Sequence, residues 1–203
     1  MNNPTMLAAG ILGFSAEVLK RVLEAGAGAV VTKSISVHPR EAYRNPTVVG
    51  VDCGYVNAIG LANPGVTAFK TELALLKEKG LPLVVSVFGA DPEEFAQVVS
   101  ILEDSPARAF ELNLSCPHVK GVGVEIGSDS KMVFNVVKVV KHTAKKPVFV
   151  KVSPNVANVI SIAEAAEEAG ADGITATNTV KAMAIDVETG KPILSNKVGG
   201  LSG

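Results

Sequence analysis

The 203-residue chain carries little charge and almost no excess of either sign: charged residues make up 19% and the formal net charge is −1. That leaves no basic patch of the kind nucleic-acid recognition requires. No apolar run approaches the ~18 residues that a membrane span needs. Met1-Asn2-Asn3-Pro4 has no basic region ahead of an apolar core, so the N-terminus does not read as a secretory signal. Two cysteines, Cys53 and Cys116, are too few for a disulfide framework. The three histidines, His38, His118 and His142, show no metal spacing among themselves or with the cysteines, so no metal is expected. What remains is a soluble, cytoplasmic protein with 47% hydrophobic residues, enough for a sizeable core in one domain over 1–203.

What is present is alternation. Short apolar runs at Thr5–Ala9, Ala29–Thr32, Leu83–Phe88, Ala109–Leu112, Val148–Val152 and Gly173–Ala176 read as strands buried on both faces of a parallel sheet. Amphipathic stretches lie between them. Ser15 is placed to cap a helix carrying Val18, Leu19, Val22 and Leu23 that stops near Gly26. Asp91-Pro92 starts another. Asp129 caps a third, with Met132, Val133, Val136, Val137 and Val140 inward and Lys131, Lys138 and Lys141 outward. Asn155 opens a fourth, striped by Val156, Val159, Ile160, Ala163 and Ala166, with Gly170 past its end. Glu24-Ala25-Gly26-Ala27-Gly28 and Glu168-Ala169-Gly170-Ala171-Asp172 are near copies, as expected of a repeated strand–helix unit. The expectation is an α/β (β/α)8 barrel, truncated after about six of its eight units, since a closed barrel typically has about 250 residues. Gly199-Gly200-Leu201-Ser202-Gly203 reads as the start of a strand-to-helix turn; an open sheet is the alternative.

In such folds chemistry gathers at strand exits. Cys116, in Asn113-Leu114-Ser115-Cys116-Pro117-His118, follows the fourth run. A thiolate there can act as base or nucleophile, and its ordinary pKa near ~8.5 falls in a positive field. Otherwise Cys116 is a small buried hydrophobe. Val119 to Gly127 holds Lys120-Gly121-Val122-Gly123, a candidate flap, and His118 is a candidate ligand contact or tuner of the thiol. His142 reads as a solvated helix residue. Lys33 and Lys151 stand at equivalent exits, where burial of an unpaired lysine is costly. They read either as snorkelling stems or as contacts to a shared anionic ligand. Gly54 to Gly65 reads as a long functional loop, with the Asn57 amide and Gly60 offering close approach. Asn178 and Thr179 repeat an amide-plus-hydroxyl pair, and Gly199, Gly200 and Gly203 offer N–H groups for a phosphate. Cys53, in a turn-like segment without a strand, reads as structural.

Asn113-Leu114-Ser115-Cys116-Pro117, Asn57-Ala58-Ile59-Gly60-Leu61, Lys151-Val152-Ser153-Pro154-Asn155 and the terminal Gly-Gly-Leu-Ser-Gly, in that barrel context, resemble the class 1 dihydroorotate dehydrogenases, most closely B-type catalytic subunits. The resemblance covers the whole chain and about two thirds of the family's length. It implies a barrel with FMN across its mouth, oxidising dihydroorotate to orotate in pyrimidine (UMP) biosynthesis. Cys116 would be the base taking the C5 proton while the C6 hydride passes to the flavin. FMN contacts would come from Ala9, Lys33, Ser34, Ser86, Asn113, Lys151, Thr177 and Gly203, with Lys151 against the isoalloxazine. Substrate contacts would come from Lys33, Asn57, Ala58, Ile59, Gly60, Leu61, Asn113, Asn178 and Thr179. The chain departs from the pattern at Ala9-Gly10, where Ser-Gly is frequent, at Ser86, where Asn is common, and at His118, where Cys-Pro-Asn is frequent.

The resemblance further implies either a homodimer or a heterotetramer with an FAD and iron–sulfur subunit. The rival readings are a dihydropyrimidine dehydrogenase-like flavin barrel and a non-catalytic incomplete barrel.

Overall fold

A computed structural model describes residues 3–76, 80–115 and 126–203. The strands are β1 Met6–Leu7, β2 Ala29–Val31, β3 Val48–Val51, β4 Gly54–Asn57, β5 Leu83–Val87, β6 Ala109–Asn113, β7 Val148–Lys151, β8 Gly173–Thr175, β9 Val180–Ala182, β10 Ile185–Asp186, β11 Lys191–Pro192 and β12 Gly199–Ser202. The helices are α1 Ala16–Glu24, α2 Val66–Leu73, α3 Pro92–Leu102, α4 Ser130–Thr143 and α5 Val159–Glu168. No described helix is long and apolar enough to cross a membrane.

Six strands pair in parallel in the order β1-β2-β5-β6-β7-β8, a curled sheet. All six expected strands are there. Alternate residues divide them into two faces. Val30, Leu83, Val85, Val87, Phe110, Leu112, Val148 and Val150 join the main core under the helices. Val31, Val84 and Ala109, with Ala9 and Phe149, form a separate concave cluster. The helices bury one stripe each: Phe95, Val98, Val99 and Leu102 on α3, and Val133, Val136, Val137 and Val140 on α4. Burying a side chain of this size contributes about 1.5–3 kcal/mol, so the convex core is where most of the stability lies.

The caps at Ser15, Asp91 and Asp129 accept backbone N–H groups as expected. The fourth helix differs. Its cap is Asn158, whose Oδ1 accepts from Ile160 and Ser161. Asn155 is engaged elsewhere: its amide donates to Thr179 O at 2.9 Å and accepts from Lys181 N at 2.8 Å. The inward stripe of α5 is therefore Ile162, Ala165 and Ala166, with Val159 and Ile160 exposed.

A second, antiparallel sheet of order β3-β4-β12-β9 was not foreseen. β3 and β4 form a hairpin turning at Asp52-Cys53, which places exposed Cys53 at a hairpin tip. Gly54–Asn57, expected as loop, is strand β4. The expected turn at Gly199-Gly200-Leu201 is β12, paired with β4 on one side and β9 on the other. Gly200 is needed there: a Cβ would lie 2.0 Å from Thr179 Oγ1.

Candidate active site at the strand exits

Inward-facing positions at the C-terminal ends of the parallel strands turn from apolar to polar. Above Val31, Val84, Ala109 and Phe149 come Lys33, Ser86, Glu111, Asn113, Lys151 and Thr175. Parallel register sets Asn113 beside Lys151 and Lys151 beside Thr175.

One hydrogen-bonded chain crosses four of these exits. Asn178 Nδ2 donates to Asn113 Oδ1 at 3.1 Å, and Asn113 Nδ2 donates to Ser34 Oγ at 3.0 Å. Ser34 and Ser86 hydroxyls lie 2.9 Å apart. Asn113 Oδ1 also accepts from Ser115 N at 3.2 Å. Thr32 Oγ1 accepts from Ser86 N at 3.1 Å, tying the end of β2 to β5. Ser34, Ser86 and Asn113 are all buried.

A second group is charged. Lys151 is 7% exposed and Glu111 3%. Lys151 Nζ lies 3.9 Å from Glu111 Oε1, while Glu111 Oε2 accepts from Thr175 Oγ1 at 3.0 Å. Glu111 Oε1 has no hydrogen-bond partner among the described residues. Lys33 is half-buried, and burial holds its amine below the usual lysine range. Its backbone is pressed by the turn Ile11–Gly13: Lys33 N donates to Gly13 O at 2.7 Å, and a Cβ on Gly13 would come within 2.5 Å of that nitrogen.

The segment 57–61 is shaped by its neighbours. Asn57 Nδ2 donates to Gly200 O at 3.2 Å, Ala58 N to Thr47 O at 2.8 Å, and Tyr43 N to Ile59 O at 3.1 Å. Arg40 Nε donates to Gly60 O at 2.7 Å. Gly60 and Leu61 both take positive φ, 87° and 56°. Buried Asn63 locks the loop end, donating to Leu61 O and Ser36 Oγ and accepting from Gly65 N. A cleft of about 240 Å³ opens nearby, lined by Ser36, His38, Arg40, Leu61, Phe88 and Glu94 among others.

The structure thus joins Ser34, Ser86, Asn113 and Asn178 directly, and places Lys151 next to Asn113. Asn178 Oδ1 accepts from Thr179 N, which connects Thr179 to the same chain. Ala9 packs in the concave cluster beneath. Thr177 is exposed just ahead of Asn178. Gly203 lies against the hairpin tip, where a Cβ would meet Cys53 O. Cys116, His118 and the candidate flap lie largely outside the described residues; only Ile126–Gly127 at its end are described. Sequence reasoning missed Glu111, Thr175 and Asn63. Glu111 carried a readable signal, an ionisable residue inside an apolar strand, equal in kind to that of Lys151.

Polar and ionic side chains gathered at successive parallel-strand exits define an α/β protein with the site placement of barrel-type enzymes. The whole chain, residues 1–203, matches the family model described as dihydroorotate dehydrogenase. It is 50% identical over 203 residues to a Methanocella arvoryzae protein named "Dihydroorotate dehydrogenase B (NAD(+)), catalytic subunit", covering 100% of this chain and 67% of that protein. Proteins of the same name from Pyrococcus furiosus and Methanothermobacter thermautotrophicus are 52% and 50% identical, covering 99% and 100% of this chain and 66% and 67% of theirs. The chain belongs to the dihydroorotate dehydrogenase family. It spans about two thirds of the length of these relatives.

Proposed function

We propose that this chain supplies the substrate-facing part of a B-type dihydroorotate dehydrogenase, which oxidises dihydroorotate to orotate with FMN in pyrimidine biosynthesis. The observation that carries the reading is the cluster of buried Ser34, Ser86, Asn113 and Lys151 with half-buried Asn178, found at the strand exits of a chain that matches the family over residues 1–203.

The donor set fits FMN. A flavin ring presents carbonyl oxygens and ring nitrogens along one edge. The site offers amide and hydroxyl groups that both donate and accept, one buried ammonium and one orphaned buried carboxylate oxygen. Lys33, Ser34, Ser86, Asn113 and Lys151 would hold it, with Ala9, Thr177 and Gly203 as further contacts. Bound there, FMN would accept the hydride that leaves C6 of the substrate.

The chain's own residues supply the rest. Cys116 follows Ser115 at the exit of β6 and takes the C5 proton on its sulfur, so proton and hydride leave adjacent carbons and a C=C bond forms. Lys33 and the 57–61 segment face the anionic substrate, with Asn113, Asn178 and Thr179 fixing its polar edge. Lys151 keeps positive charge at the site, where water is excluded and such a charge acts most strongly. The six parallel strands belong to a closed (β/α)8 barrel, and residues 1–203 form a single domain within it. The protein is cytoplasmic. It assembles as a homodimer or as a heterotetramer with an FAD and iron–sulfur subunit; that relatives are named "catalytic subunit" supports a partner subunit.

The test is anaerobic mixing of the FMN-reconstituted protein with dihydroorotate or dihydrouracil. Dihydroorotate is expected to bleach the flavin's visible absorbance with formation of orotate. Bleaching by dihydrouracil alone would assign the rival dihydropyrimidine chemistry, and bleaching by neither would refute the reading.

A further inference from the structure

Glu111 takes no part in the proton and hydride transfers proposed above, yet this carboxylate sits on the inner face of the parallel sheet at 3% exposure. An isolated buried carboxylate is strongly disfavoured. Only two described side chains answer it. Thr175 clamps Oε2 from the next strand but one, at 3.0 Å. Lys151 stands 3.9 Å from Oε1, inside ion-pair range but beyond a hydrogen bond. That separation matters. Attraction between opposite charges falls only slowly with distance and is strong where water is excluded. A hydrogen bond, in contrast, is short-ranged. At 3.9 Å the carboxylate balances the ammonium without taking its N–H donors, and no described residue takes them in its place.

We propose that Glu111 is a positioning residue for Lys151: a clamped counter-charge that keeps the ammonium buried while leaving its donors for an acceptor on a bound ligand. This rests on the reading above, in which that ligand is the flavin. The other charged group on the concave exits is Lys33 at the end of β2; Ser86 on β5 and Thr175 on β8 are neutral, so Glu111 is the negative charge among the described inner-face residues. Its charge also sets the field at the site. Removing it leaves the cation uncompensated and favours the more negative, reduced flavin. Removing Lys151 does the reverse.

The test is a double-mutant cycle on the full-length protein, with Glu111→Gln, Lys151→Met and the pair combined, read two ways. In urea melts without FMN, each single variant loses midpoint and the double variant recovers part of the loss, because neither charge is then left alone. Strictly additive losses would overturn the pairing. If Glu111→Gln does not fold, the double variant must; failure of both overturns the proposal equally. With FMN bound, the flavin midpoint potential is expected to rise in Glu111→Gln, fall in Lys151→Met and return towards the parent value in the double variant. Glu111→Asp retains the charge and should hold the parent potential even where its melting temperature falls. A potential unchanged in Glu111→Gln but lowered in Lys151→Met overturns the proposed tuning. Coupling in urea with a potential unmoved by either substitution keeps the counter-charge role and instead removes the flavin from Lys151, which fails the proposed function.

Discussion

Asn113→Ala is the substitution whose consequence follows most directly from the geometry. It deletes the donor to Ser34 Oγ at 3.0 Å and the acceptor shared by Asn178 Nδ2 at 3.1 Å and Ser115 N at 3.2 Å. Ser34 keeps its bond to Ser86, so it is not left alone. Asn178 and Ser115 N lose their partner in partly buried surroundings. Each stranded group costs about 1–3 kcal/mol, and with partial access to water the total should be about 2–4 kcal/mol. For a chain of this size that corresponds to roughly 5–15 °C in melting temperature. Asn113→Asp provides the contrast. It keeps the acceptor for Asn178 and Ser115, and Ser34 can turn to donate to the new oxygen while accepting from Ser86. Its melting temperature should fall less, whereas binding of an anionic substrate should weaken because a negative charge now stands at the site. Calorimetric melts with and without orotate measure both effects. A parent-like melt for Asn113→Ala, or equal losses for the two variants, would refute the idea that this amide is the junction of the cluster.

Cys116→Ala should retain FMN yet slow flavin reduction by dihydroorotate about 10²–10⁴-fold in stopped flow, the usual contribution of a general base; Cys116→Ser should keep residual activity with a more alkaline optimum, and an unchanged rate in Cys116→Ala would remove the thiol from the chemistry. Burial depresses the Lys33 amine, so between that lowered value and the ordinary lysine value the unfolded chain binds more protons and stability rises with pH. Lys33→Met should remove this slope in chemical denaturation, raise stability at neutral pH and weaken orotate binding about 10–100-fold in calorimetric titration. Burial raises the Asp172 carboxyl, but bonds from Lys141 and the Val148 N–H and the Lys141 charge outweigh it and hold it below the usual range. Its stabilisation is therefore complete above the ordinary aspartate value and fades as pH falls through the lowered one. Asp172→Asn should cost about 1 kcal/mol at neutral pH and flatten the acid limb of the stability curve.

The parallel sheet was readable because both its faces are covered, which writes each strand as an unbroken apolar run. Helix starts were readable where one side chain serves one cap, as at Ser15, Asp91 and Asp129. Asn155 misled because its amide serves a distant segment, Thr179 and Lys181, a use that adjacent residues do not reveal. The antiparallel sheet escaped for the same reason on a larger scale. Its strands are short and rich in glycine, and β12 finds its partners at β4 and β9 rather than nearby. Within the site, Lys151 stood out as a cation in an apolar run. Glu111 sat in such a run as well, and only the spatial register that sets it within reach of Lys151 and Thr175 gives it meaning.

The bond from Asn57 to Gly200 closes a loop of 143 residues. Most other contacts here join neighbouring strand–helix units, so the sheet can assemble progressively as the polypeptide emerges. The antiparallel cover cannot. Joining its ends carries an entropic penalty that grows slowly with loop length but must be met before the pairing gives anything back. Residues 57–61, which line the proposed substrate position, therefore gain their final shape late, once synthesis has passed residue 200. Until then a nascent chain would hold the parallel strands with an unshaped entrance, which delays ligand capture until the antiparallel cover has formed.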